Sequence, residues 1–232
     1  MMQLPTKHTG ISPKRVVVAD DHPMVREALV QAVNSMPEFT VCGEADSRET
    51  LIRVMQSTPA DGLVLDICMQ GAFMLDLIPD LLKAGDNLKI LVVSAYDDEL
   101  NVFHAIRSGA HGFVSKIAMS SEFETALQTI HRGEHYLPAD IKPHIVEKLL
   151  SKRAHEVERF RDPLFSLTSR EMEVFRLLGE WKSTPEIADM LKISPKTVEV
   201  HRIHIKEKLG VTSLPELLRY AVNWVSEKGP KR

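Results

Sequence analysis

The chain has 232 residues, a formal net charge of −3, 44% hydrophobic and 26% charged residues. That balance excludes a disordered or fibrous protein, and no apolar run approaches the ~18 residues of a membrane span. The opening MMQLPTKHTGISPK lacks the apolar core of a secretory signal. Two cysteines, Cys42 and Cys68, make neither a disulfide framework nor a zinc site, so the expected setting is a reducing cytoplasm, away from membranes.

The charge is unevenly spread. Residues 1–137 carry a net −7, residues 138–163 a net +1 and residues 164–232 a net +3, which suggests two parts with different tasks. In the first part, nearly continuous apolar runs predict strands at Arg15–Ala19, Phe39–Glu44, Gly62–Asp66, Lys89–Ser94 and Gly112–Ser115. Helical patterns lie between and after them, near 23–35, 47–57, 73–84, 97–108 and 121–132. Pro79 predicts a kink or a late start in the third helix, and Ser121–Glu124 reads as a capping box opening the fifth, which Gly133 closes. Five alternations of strand and helix imply an α/β fold with a doubly wound, five-stranded parallel sheet. Residues 136–163 read as a linker carrying a charged helix over Ile141–Phe160.

The last part predicts four short helices. Thr168–Glu171 and Ser183–Glu186 are capping boxes, Ser194-Pro195 is a cap followed by proline at the first helical position, and Gly210 is a stop. Ser213–Glu216 opens the fourth helix. Only Lys192-Ile193 joins the second helix to the third, so the two form a helix-turn-helix.

In doubly wound sheets ligands sit at the carboxyl ends of the strands. Those ends carry Asp20-Asp21, Asp66, Ser94 and Ser115-Lys116. Three carboxylates on one rim repel and call for a hard divalent cation with oxygen ligands, such as Mg²⁺. A carboxylate beside that cation can attack phosphorus and form an acyl phosphate. Asp66 is then the nucleophile, Asp20 and Asp21 hold the metal, and Ser94 and Lys116 contact the phosphoryl group. Acidic residues at strand ends also serve simply as solvated caps; three carboxylates joined by Ser94 and Lys116, on four strand ends of one rim, argue otherwise.

On the third helix of the last part, Val198, Ile205 and Leu209 point inward. Lys196, Val200, Ile203 and Glu207 then point outward, with Glu199, Arg202 and Lys206 on the flanks. Exposed Val200 and Ile203 suit thymine methyls in a major groove, Glu199 a cytosine amino group, and Lys196, Arg202 and Lys206 phosphates. The start of the second helix, at Ser183 and Thr184, offers N–H groups to a further phosphate. A plain four-helix bundle with solvated flanks is the alternative that pattern leaves open.

At these residues two family resemblances emerge. The runs VVVADDHPMVREAL (16–29), LVLDICM (63–69), VVSAYDD (92–98) and GAHGFVSK (109–116) resemble a response-regulator receiver domain over 13–135. The run from LTSREMEVFRLLGE to STPEIADMLKISPKTVEVHRIHIKEKLGVTS resembles a LuxR-type helix-turn-helix over 164–232. Together they resemble NarL/FixJ-type two-component response regulators.

The resemblance implies a CheY-like, flavodoxin-like receiver and a small all-α DNA-binding domain. It also implies that a sensor histidine kinase donates a phosphoryl group to Asp66, and that the Cys68 carbonyl completes the metal site. Phe113 would be a switch residue moving inward when Ser94 binds the phosphoryl group. Thr197 joins the DNA contacts, and the chain is expected to bind double-stranded promoter DNA as a homodimer, at least when phosphorylated.

The chain departs from the receiver pattern after Asp66. Met69-Gln70-Gly71 stands where Met-Pro-Gly is usual, and Phe73-Met74 where Asp-Gly or Ser-Gly is common. A strand-end aspartate is also the nucleophile of haloacid-dehalogenase-type phosphohydrolases. Those need a second acid two residues on, where this chain has Cys68, so no enzymatic activity is expected beyond the receiver's own phosphoryl transfer and dephosphorylation. The opposite charges of the two parts predict a resting contact in which the receiver covers Lys196, Val200, Ile203 and Lys206.

Overall fold

The computed structural model describes residues 12–85, 87–95, 97, 99–139, 141 and 163–228. The expected linker helix at Ile141–Phe160 lies outside them except for Ile141.

Five parallel strands form the sheet in the order β2-β1-β3-β6-β7: β1 (Lys14–Ala19), β2 (Phe39–Ala45), β3 (Gly62–Leu65), β6 (Lys89–Ser94) and β7 (Gly112–Ser115). Between β3 and β6 lie two short antiparallel strands, β4 (Cys68–Met69) and β5 (Ala72–Phe73). The helices of this part are α1 (Pro23–Ser35), α2 (Arg48–Ser57), α3 (Ile78–Ala84), α4 (Glu99–Ser108) and α5 (Met119–His131). The apolar strands are buried on both faces because successive side chains alternate. Val16 and Val18 pack with Leu29, Val33, Phe123 and Leu127 of α1 and α5. Val17 and Ala19 pack with Leu51, Ile78 and Val102 of α2, α3 and α4.

Four helices make the C-terminal part: α6 (Ser169–Gly179), α7 (Thr184–Leu191), α8 (Pro195–Leu209) and α9 (Leu214–Lys228). The capping boxes at Thr168 and Ser183, the Ser194 cap and the left-handed Gly210 stop all form. Gly179 lets α6 approach α9; a Cβ there would lie 2.5 Å from the Ala221 carbonyl oxygen.

Three local expectations need correction. Helix α3 starts at Ile78 after a 3-10 turn at Leu75–Leu77, not near residue 73, and Phe73 belongs to a strand; the late start expected from Pro79, which lies in the first turn, is what forms. Helix α5 begins at Met119, and the Ser121 hydroxyl donates to the Ala118 carbonyl instead of capping the helix. The receiver does not cover the third helix of the C-terminal part: Val200 and Ile203 remain 41% and 49% exposed. It packs on α6 instead.

Helix α6 is buried from Glu171 to Gly179 without interruption. One side faces its own domain, where Phe175 meets Tyr220 and Trp224. The other side presents Ser169, Glu173 and Arg176, spaced as one helical stripe, to the receiver. There Asp76 binds Arg48 through two 2.8 Å hydrogen bonds and accepts a third from Arg170 at 3.2 Å. The Ser108 and Ser169 hydroxyls meet at 2.8 Å, and Phe165 packs edge-on against Phe103 of α4.

Candidate phosphoryl-acceptor site and DNA-facing helix

The parallel sheet delivers its strand-end residues to one rim. Asp20 follows β1 and is fully buried; Asp66 follows β3 and is 4% exposed. Lys116 follows β7 and places Nζ 2.7 Å from both Asp20 Oδ2 and Asp66 Oδ2. Its main-chain N–H donates to the carbonyl of Ser94, which ends β6 and is fully buried. Ser115, one residue earlier, donates its hydroxyl to Asp97 Oδ2 at 2.7 Å. The expected cluster of Asp20, Asp21, Asp66, Ser94 and Lys116 therefore comes together.

The electrostatics suit a nucleophile held beside compensating charge. Burial pushes the Asp66 carboxyl up to about 6; Lys116 opposes that shift and Asp20 adds to it. Burial disfavours the charged form of Lys116, but the Asp66 and Asp20 carboxylates more than offset it and its pKa rises. The Lys116 ammonium is thus fixed as a cation at neutral pH.

The donor set fits a hard cation. Oxygens of Asp20, Asp21 and Asp66, with the His22 ring, lie within 4.8 Å of one another. Asp20 Oδ2 and Asp21 Oδ1 are buried and accept no hydrogen bond; each has only a charge neighbour, Lys116 and His22 Nδ1 respectively, at 2.7 Å. Buried carboxylate oxygens left this way favour a cation. His22 was missed by sequence reasoning; its position directly after the acidic pair was the available signal.

The segment after Asp66 forms a tight hairpin. Gln70 and Gly71 have φ of 51° and 77°. Two successive residues at positive φ match the two-residue turn that best fits the twist of paired strands. The Cys68 N–H donates to Asp66 Oδ1 at 3.1 Å, and the Gln70 N–H to Asp21 Oδ2 at 2.7 Å. Burial raises the Cys68 thiol to about 11, so it stays protonated and inert. Phe113 is fully buried, already inward, and its N–H donates to the Tyr136 carbonyl.

On α8, Val198, Ile205 and Leu209 are buried, while Lys196, Val200, Ile203 and Glu207 are exposed, as the periodicity predicts. Thr197 and Ser194 join hydroxyls at 2.8 Å at the start of the helix. Lys206 is half-buried. Thr184 donates to Glu199 Oε1 at 3.0 Å, and Arg202 contacts both Thr184 and Glu199. Glu199 is therefore engaged by its neighbours, and Ser183 is engaged by Glu186 in the capping box.

Comparison with known proteins agrees with this geometry. Residues 16–128 match the response regulator receiver domain, and residues 165–221 match the luxR family of bacterial regulatory proteins. The oxygen regulatory protein NreC of Staphylococcus carnosus is 33% identical over 210 residues, 90% of this chain and 96% of that one. A two-component response regulator RcsB–DNA complex superposes with a TM-score of 0.66 at 25% identity, covering 90% of this chain and 99% of that one. A structure of two RcsB dimers bound to two parallel DNAs superposes with a TM-score of 0.54 at 25% identity, over 91% and 98% of the two chains. Among the described residues no helix is long and apolar enough to cross a membrane.

Proposed function

The chain belongs to the NarL/FixJ-type two-component response regulators, a receiver domain joined to a LuxR-type helix-turn-helix, and from that premise we propose that Asp66 is the phospho-acceptor whose modification controls binding to promoter DNA. The observation that carries this reading is Lys116 Nζ held 2.7 Å from both Asp66 and Asp20. An Asp66 oxygen attacks the phosphorus of a phosphohistidine on a sensor kinase. The P–N bond breaks, the imidazole leaves with the electron pair, and a P–O bond forms on Asp66. Lys116 neutralises charge on the phosphoryl oxygens and Ser94 offers a hydroxyl to one of them. Asp20, Asp21, Asp66 and the Cys68 carbonyl would hold Mg²⁺, which when bound supplies further positive charge to the phosphoryl oxygens. Phe113, already buried, would be the switch residue that responds when Ser94 binds the phosphoryl group.

The proposed units are the receiver at 13–135, a linker at 136–163 and the DNA-binding domain at 164–232, working in the cytoplasm. The chain is a regulator and catalyses only its own phosphoryl transfer and dephosphorylation. On DNA, Val200 and Ile203 meet base edges. Lys196, Thr197, Arg202, Lys206 and the α7 start at Ser183 and Thr184 meet phosphates, and Glu199 reads a base only by leaving Arg202. A homodimer forms at least when phosphorylated; the dimers and DNA complexes of RcsB support that reading.

The test is chemical. With Mg²⁺ and acetyl phosphate the protein gains one hydroxylamine-labile phosphoryl group, and Asp66→Asn abolishes the gain. Full labelling of Asp66→Asn refutes the assignment.

A further inference from the structure

Glu199 directly precedes Val200 on α8 and lies one helical turn before Ile203, so it shares their part of the helix surface. Its side chain is 51% exposed, yet it is engaged. Glu199 Oε1 accepts a 3.0 Å hydrogen bond from the Thr184 hydroxyl and forms an ion pair with Arg202 Nη1. The same Nη1 donates to Thr184 Oγ1 at 3.0 Å. The Arg202 side chain is only 14% exposed. The trio therefore ties the start of α7, proposed above to meet a phosphate, to a position on α8 that faces bases. Two physical facts decide what DNA does to it. An ion pair with a half-exposed acid holds weakly, and a phosphate matches the forked guanidinium at least as well. A carboxylate stripped of its cation beside the polyanionic backbone is repelled unless a base donor meets it.

We propose that Arg202 gates base reading by Glu199: the two stay paired on most sequences, and over a cytosine Arg202 passes to a DNA phosphate while Glu199 passes to the cytosine amino group. The proposal rests on α8 being the helix that faces the bases. Cytosine is singled out by its chemistry. Its major-groove edge presents an amino donor alone, whereas adenine sets an acceptor beside its amino group, and guanine and thymine present acceptors. Over those bases a freed Glu199 is left unpaired near the phosphates, a penalty larger than the gain from one phosphate contact, so Arg202 stays where it is. The Thr184 hydroxyl keeps donating to Oε1 after Arg202 leaves, which makes Thr184 a positioning residue for the carboxylate. The gate couples one phosphate contact to one base identity. Specificity then comes from rejecting wrong bases as well as from attraction to the right one.

The coupling has a readout that a structural ion pair lacks. Duplexes are selected from a random library with the full-length wild type and with Glu199→Ala, each checked for a native circular dichroism spectrum. The selected duplex and its single-base-pair variants are then titrated across a salt series. Replacing the C·G pair read by Glu199 should lower wild-type affinity about tenfold. It should also flatten log affinity against log salt by about 0.9 per subunit, because Arg202 returns to Glu199. In Glu199→Ala, Arg202 is released on every sequence, so the steep slope persists on both duplexes and the preference at that pair is lost. Arg202→Gln should flatten the slope on the selected duplex and leave it unchanged on the replaced one. Equal wild-type slopes on the two duplexes overturn the gate. So does a selected site with no C·G pair whose preference depends on Glu199. Failure of wild type to enrich any sequence overturns instead the assignment of α8 to DNA, and the gate with it.

Discussion

Replacing Lys116 by methionine isolates the charge balance of the acidic rim. The substitution keeps the stem and removes an ammonium lying 2.7 Å from each of two carboxylates whose side chains are 0% and 5% exposed. Breaking a buried ion pair by deleting one partner costs about 3–5 kcal/mol. Asp66 can blunt the loss by binding a proton, because burial already holds its pKa up at about 6 and Lys116 is the main influence opposing that rise. The lower end of the range, ~3 kcal/mol, is therefore expected at pH 7. For a chain of this size that lowers Tm by roughly 6–12 °C. Thermal unfolding followed by circular dichroism in EDTA measures it. Repeating the melts in Mg²⁺ should raise the variant's Tm by more than the wild type's, since a cation there replaces the lost charge. A variant that melts within about 2 °C of wild type in EDTA, or that gains no more than wild type from Mg²⁺, refutes the view that lysine and cation neutralise the same carboxylates.

Most strands were legible because they are short, nearly continuous apolar runs, the signature of a strand buried on both faces; the half-buried β2, with Thr40, Gly43 and Glu44, is the exception. The rim was legible for a related reason: Asp66, Ser94 and Lys116 are polar residues placed where such runs stop. The hairpin was not. Strands as short as Cys68–Met69 and Ala72–Phe73 carry no periodicity, and the apolar sequence Phe73-Met74-Leu75 reads equally well as the start of a helix. Gln70 in the turn also lacks the asparagine or glycine signal usual at positive φ.

The interdomain contact was hidden by distance along the chain. Ser169, Glu173 and Arg176 form a polar stripe that looks like a solvated helix face until Asp76 and Gly71, about a hundred residues earlier, are seen to cover it. Opposite net charges of the two parts pointed to α8, yet the contact forms where particular partners match. A difference in net charge specifies attraction and contains no address.

Alanine at Val200 or Ile203 should relax sequence preference, at roughly 1–3 kcal/mol per lost base contact, in titrations against matched and mismatched duplexes; unchanged preference refutes the choice of outward face. Alanine at Lys196 or Lys206 should weaken all sequences alike and flatten log affinity against log salt by about 0.9 per lost phosphate contact. Phosphorylation should raise both dimer fraction and DNA affinity; sedimentation and DNA titration check both, and unchanged mass and affinity in phosphorylated protein refute the expectation. The closed arrangement, with the receiver packed on α6, should also respond to pH. Burial, with Asp76 adding and Arg170 opposing, pushes Glu173 of α6 up to about 8 from an ordinary 4.5, and Glu173 Oε1 has no hydrogen-bond partner. Burial pulls His104 of α4, beneath the Leu164–Phe165 turn, down to about 4 from an ordinary 6.5, with Arg107 adding to the shift. Closure therefore takes up a proton at Glu173 wherever the open form is ionised and the closed form is not, between about 4.5 and 8, so it weakens as pH rises through that window. Closure expels a proton from His104 between about 4 and 6.5, so it weakens there as pH falls. The two slopes oppose one another below 6.5, and only the Glu173 slope remains above it. From pH 6.5 to 8 the closed-to-open ratio should fall by up to about tenfold per pH unit, seen as a growing radius of gyration, and Glu173→Gln should abolish the trend. A radius independent of pH in wild type over that interval, or the same trend in Glu173→Gln, shows that the interface does not bind the proton assigned to it.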